Sequence, residues 1–152
     1  MRRGLTVIEL IFVIVIIGIL AVVSLPKIAA TRDDARMSTL AQNTMTAATE
    51  IAAYTVAKGK TLNSLEEMSH AAKVMVENGD ANATTRRLEI HWKGIDDCLV
   101  LKIANYTSGP VQGEVLTIEA NGTNTNAECD RLRSLVDTQR FPIPLHGAMI
   151  SY

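Results

Sequence analysis

Glu9 poses the first chemical question. It is the one charge in an apolar run from Leu5 to Leu25, preceded by Arg2, Arg3 and Gly4. A carboxylate inside a bilayer costs roughly 2.5–3.5 kcal/mol on insertion scales, so it needs a helix end or a cationic partner. A helix start offers the first, because free N–H groups and the positive end of the macrodipole favour an anion there. Hydrolysis after Gly4 offers the second. It would create an ammonium on Leu5, four residues from Glu9. The ammonium of one subunit would then neutralise Glu9 of a neighbour, and burial would be tolerable only within an assembly.

No other constellation points to catalysis. There is no G-x-S-x-G, no H-E-x-x-H and no phosphate-cradling glycine loop. His70, His91 and His146 are scattered and read as surface residues. Asp96-Asp97 falls in an expected tight turn; hard cations want more clustered oxygens than this, so no metal is assigned and no cofactor is expected. Arg86 and Arg87, near His91, Trp92 and Lys93, form a small basic cluster interleaved with Glu89. Phosphate binding needs more charge, and a formal net charge of −1 gives no sign of a nucleic-acid partner. Asp80-Ala-Asn82-Ala-Thr84 and Glu119-Ala-Asn121-Gly-Thr123 each fit N-x-T with an acid two residues before the asparagine. Both are similar to the extended acceptor of bacterial N-glycosylation enzymes, in polar stretches where acceptors belong. Asn105-Tyr106-Thr107 lacks the acid.

The element that must carry Glu9 is a helix of membrane-spanning length, about 20 residues at 1.5 Å rise. No charge interrupts Leu10 to Pro26, and the polar cleavage region of a secretory signal peptide is missing. Arg2 and Arg3 before the span place the N-terminus in the cytoplasm. Gly18 and Pro26 are weak points where the helix is expected to kink and continue. Beyond Lys27, the residues Met37, Leu40, Thr44, Ala47, Ile51 and Tyr54 recur at helical spacing, and Gly59 is a plausible end. One helix from Leu5 to Lys58 would be roughly 80 Å long, more than a domain of this size can bury. Its first half must find lipid or other subunits.

This opening stretch resembles the class III prepilin signal of type IV pilins and type II secretion pseudopilins. The matching residues are the basic leader Arg2-Arg3, the cleavage glycine Gly4, and Glu9 as the fifth residue after the cut. Thr6, the Ile-rich run from Ile14 to Ile19, Gly18 and Pro26 also sit where that family has them. Leu5 stands where the family usually has phenylalanine. The resemblance implies a leader of 1–4 removed by a prepilin peptidase that also methylates the new amine on Leu5. It implies an anchor over 5–26, an amphipathic helix half over 27–59 and a globular head over 60–152. Leu5 and Glu9 would set subunit register in a filament. Its partners would be other pilin subunits, membrane lipid, an inner-membrane assembly platform and that platform's ATPase.

The head reads as a helix followed by a small sheet. Thr61 to Gly79 is expected to be helical, opened by Ser64 and Glu67 at capping-box spacing, with Asp80 to Thr85 a polar loop. Leu88, Ile90 and Trp92 alternate with Arg87, Glu89, His91 and Lys93, which marks a half-buried strand. Cys98 to Tyr106 and Glu114 to Ala120 are two more strands, and Ala148 to Tyr152 offers a fourth. Thr125 and Glu128 would cap a short helix with Cys129, Leu132 and Val136 inward. Aromatic residues are 4% of the chain, so the core must be mainly aliphatic. Cys98 and Cys129 read as buried thiols in a reducing compartment and as a disulfide beyond a membrane. The expected fold class is α+β, pilin-like, with a long N-terminal helix, transmembrane in its first half, on an antiparallel sheet. The expected role is a non-enzymatic filament subunit in secretion, adhesion, motility or DNA uptake. A single-pass periplasmic binding module on an uncleaved anchor is the rival.

Overall fold

The computed structural model describes residues 6–108, 111–119, 126–145 and 149–150, with the side chains of 23–31 and 149–150 outside that description. Gly4, Leu5, Asn121 and His146 therefore lie outside the described residues. The chain divides into two compact units, Met1–Met37 and Ser38–Tyr152.

Helix α1 runs from Val7 to Lys58, and it continues through Gly18 and Pro26 as the sequence predicts. Among the described residues no helix is long and apolar enough to cross a membrane. Of the span expected over 5–26, only the side chains of 6–22 are described. Farther along, Met37, Leu40, Thr44, Ala47 and Ile51 are buried as their spacing predicts. Ala41, Ala48 and Thr55 widen the stripe, and Tyr54 is only half-buried. The Thr44 hydroxyl donates to Leu40 O at 2.8 Å, which satisfies it inside the core. Gly59, at φ 65°, ends the helix while its N–H donates to Thr55 O.

The second helix is shorter than its sequence predicts. α2 spans His70–Glu77, and 61–69 forms turns that still bury Leu65 and Met68. Ser69 is the cap: its Oγ accepts from Ala72 N at 3.0 Å. It wins over Ser64 because α1 supplies a second partner. The Ser69 hydroxyl donates to Glu50 Oε2 at 2.6 Å, and Ala71 N donates to the same oxygen at 3.0 Å. The Ser64 hydroxyl is buried with no partner among the described residues.

The sheet is antiparallel, in the order β1 (Ala81–Thr84), β2 (Arg87–Trp92), β3 (Ile95–Tyr106), β4 (Val111–Glu119), β5 (Ile143–Pro144). A sixth strand, β6 (Met149–Ile150), also pairs with β4. β1 replaces the expected polar loop. Its small residues carry little strand propensity, but a two-residue turn at Thr85-Arg86 folds it onto β2 with Thr84 opposite Arg87. β3 begins at Ile95, because Lys93 and Gly94, at φ 49° and 78°, close a two-residue turn opposite Trp92. A bulge then places Asp96, Asp97 and Cys98 across from His91. Leu88, Ile90, Trp92, Leu99, Leu101 and Ile103 are buried as alternation predicts. Cys98 and Val100, which point to the opposite face of β3, are buried too.

Helix α3 (Ala127–Leu135) accounts for that second buried face. Its cap is Asn126, not Thr125, which lies outside the described residues; Asn126 Oδ1 accepts from Glu128 N at 2.9 Å. Cys129, Leu132 and Val136 point inward. Cys98 and Cys129 form a disulfide between β3 and α3, with Cα atoms 5.0 Å apart. Arg133 Nε donates to Cys98 O at 2.9 Å, and Trp92 Nε1 donates to Glu128 Oε2 at 2.8 Å.

Candidate functional site

The first turn of α1 is closed by a reciprocal hydrogen-bond box. Thr6 N and Thr6 Oγ1 both donate to Glu9 Oε2, at 3.1 and 2.9 Å, and Glu9 N donates back to Thr6 Oγ1 at 3.3 Å. The T-x-x-E spacing that makes a capping box is present here in sequence. Sequence reasoning assigned that motif to Ser64 and Glu67, where it does not form. Glu9 thus lies at a helix start, the environment expected to favour its charge.

Beyond the box, every residue from Thr6 to Val22 is exposed. Among the large apolar side chains the exposure runs from 41% at Ile16 to 77% at Ile8. A water-facing helix shows one apolar stripe against a polar face. Here the apolar surface surrounds the helix and exceeds what a monomer exposes to water. Such a surface needs lipid or protein around it.

The remaining predicted residues do not converge. Arg86 pairs with Glu114, and Arg87 pairs with Glu89 at 3.3 Å, so the basic cluster is neutralised within the sheet. Glu114 also accepts from the Thr61 hydroxyl at 2.8 Å, and Leu145 N donates to its carbonyl at 3.0 Å. That tie between the segment after α1, the β1–β2 turn and the C-terminal stretch had no sequence signal. His70 is exposed as expected, whereas His91 is half-buried with both ring nitrogens shielded from solvent, a correction to its surface assignment. Its Nδ1 lies 3.3 Å from Asp96 Oδ1 without hydrogen-bond geometry, and both ring nitrogens lack a hydrogen-bond partner among the described residues. Among the described residues no three His, Cys, Asp or Glu side chains are grouped to hold a metal ion. Asn82 is exposed, but on strand β1 instead of in a loop.

Glu50 carries a testable electrostatic consequence. The Ser69 hydroxyl, followed by the Ala71 N–H, holds its carboxyl below the ordinary glutamate range. A depressed folded value means the contribution is present above the unfolded value and lost as pH falls through the folded one. Glu50→Gln is expected to lower stability by about 1–2 kcal/mol at neutral pH. The gap from wild type should close in acid, which urea midpoints taken across pH 2–7 would read. A gap independent of pH would mean the charge plays no part.

Comparison with protein-family models, with curated proteins and with solved structures finds no match for this chain.

Proposed function

We propose that this chain is a non-enzymatic structural subunit of a type IV pilus-like filament or a type II secretion pseudopilus. The observation that carries the reading is the helix surface from Val7 to Val22, apolar on all sides and exposed throughout. The α+β head and its disulfide are compatible with a domain outside the cytoplasm. In this reading a prepilin peptidase cuts after Gly4 and methylates Leu5. The cut chain waits in the inner membrane, head outward. An assembly platform and its ATPase then pack the apolar helices into a filament core, with Leu5 and Glu9 setting register.

The capping box favours one rival. Because Thr6 already satisfies Glu9 within its own helix, an uncleaved anchor bearing a periplasmic binding module needs no neighbouring ammonium. The N-terminus separates the two. Mass spectrometry of the chain from membranes containing an active prepilin peptidase is expected to find a chain beginning at Leu5. A chain that keeps Met1 to Gly4 would leave the anchor reading.

A further inference from the structure

We propose that Asn82 is an acceptor for N-linked glycosylation; this rests on the reading above that the head lies outside the cytoplasm. The motif Asp80-Ala81-Asn82-Ala83-Thr84 is presented by β1, the strand at one end of the sheet order. Among the described strands β1 pairs with β2 alone, over four residues. The strand period decides which groups are offered. Ala81 is buried and Ala83 half-buried, whereas Asn82 and Thr84 are both exposed. Side chains two apart on a strand share a face, so the amide and the hydroxyl of the motif stand side by side toward solvent. Their cross-strand neighbours are Glu89 and Arg87, which pair with each other at 3.3 Å. Among the described residues neither the Asn82 amide nor the Thr84 hydroxyl has a hydrogen-bond partner, so no side-chain bond is lost when an enzyme engages them.

The third N-x-T match is built differently. Asn105 lies on the long strand β3, seven of whose residues pair with β4, and it lacks the acid. β1 is short and at the margin, the kind of segment that leaves its sheet most readily. The donor would be a lipid-linked oligosaccharyl diphosphate. Asn82 Nδ2 forms a bond to C1 of the first sugar, the bond from C1 to the diphosphate oxygen breaks, and the amide proton passes to solvent base. No oxidant or reductant is needed.

The test is intact-mass analysis of the full chain, made in a bacterium carrying an N-oligosaccharyltransferase and a lipid-linked oligosaccharide of known mass. Alkylation of Cys98 and Cys129 is read on the same sample. The expected result is a glycan mass increment that Asn82→Gln and Thr84→Ala each remove, that Thr84→Ser keeps, and that Asp80→Ala diminishes. Any increment that Asn82→Gln leaves in place belongs to another asparagine. An unmodified wild-type chain with oxidised cysteines would overturn this proposal alone, as would a mass pattern unchanged by Asn82→Gln. An unmodified chain with both thiols reduced has not left the cytoplasm, and would overturn this proposal together with the reading it rests on.

Discussion

Glu9→Gln is expected to reduce incorporation into filaments at least about 100-fold while leaving the amount of chain in the membrane unchanged. The magnitude separates two roles for one carboxylate. Glutamine at this position can still close a capping box with Thr6, so the local helix start survives the change. Losing only the favourable charge at a helix end costs about 0.3–1 kcal/mol, less than a tenfold effect. Losing the partner of a buried ammonium costs about 3–5 kcal/mol, because the other charge is left uncompensated. At 1.4 kcal/mol per tenfold, that cost is about two to three and a half orders of magnitude. The measurement is the ratio of sheared filament to membrane-held subunit, normalised to chain beginning at Leu5. A Glu9→Gln chain that assembles within a few-fold of wild type would assign Glu9 to helix capping alone and sink the register role.

Cys98→Ser is expected to cost roughly 3–4 kcal/mol of head stability on the chain-entropy model for a loop of this length. The two cysteines are 31 residues apart and both fully buried, so the bond closes a long loop inside a packed interface. A small domain has about 5–15 kcal/mol in all, so much of its margin rests on this link. Trp92 reports the transition. It is the only tryptophan, it is 3% exposed, and its ring N–H reaches Glu128 on α3. In urea, the fluorescence midpoint of the detergent-solubilised full chain should fall in Cys98→Ser. Wild type treated with reductant should fall to nearly the same midpoint. No shift on reduction would mean that α3 is held by its other contacts.

How much of this was legible depends on what held each element in place. The stripe from Leu40 to Ile51 and the alternation from Arg87 to Trp92 are local patterns, and both appear in the fold. β1 was not legible, because Ala-Asn-Ala-Thr has no strand pattern of its own and becomes a strand by pairing with β2. The start of α2 was misplaced for the same kind of reason. Ser64, with Glu67 three residues on, has the stronger local signal, and the choice of Ser69 is made by Glu50, nineteen residues before it. At the candidate site, the apolar run and its single charge were plain in the sequence. The Thr6–Glu9 box has the same T-x-x-E spacing in sequence, but a lone charge in an apolar run hides its capping role.

The margins of the sheet bear on crowding. Any long bare strand offers unpaired N–H and C=O groups to its neighbours and invites runaway polymerisation through the backbone. Here the strand at one end of the order is four residues long, and the far side of β4 is met by two separate pieces of two residues each. The longest strand, β3, has a partner on both sides. In the proposed filament, heads held at very high local density would therefore touch through side chains without fusing into a common sheet, and subunits would remain individually recoverable once the contacts between their helices are undone.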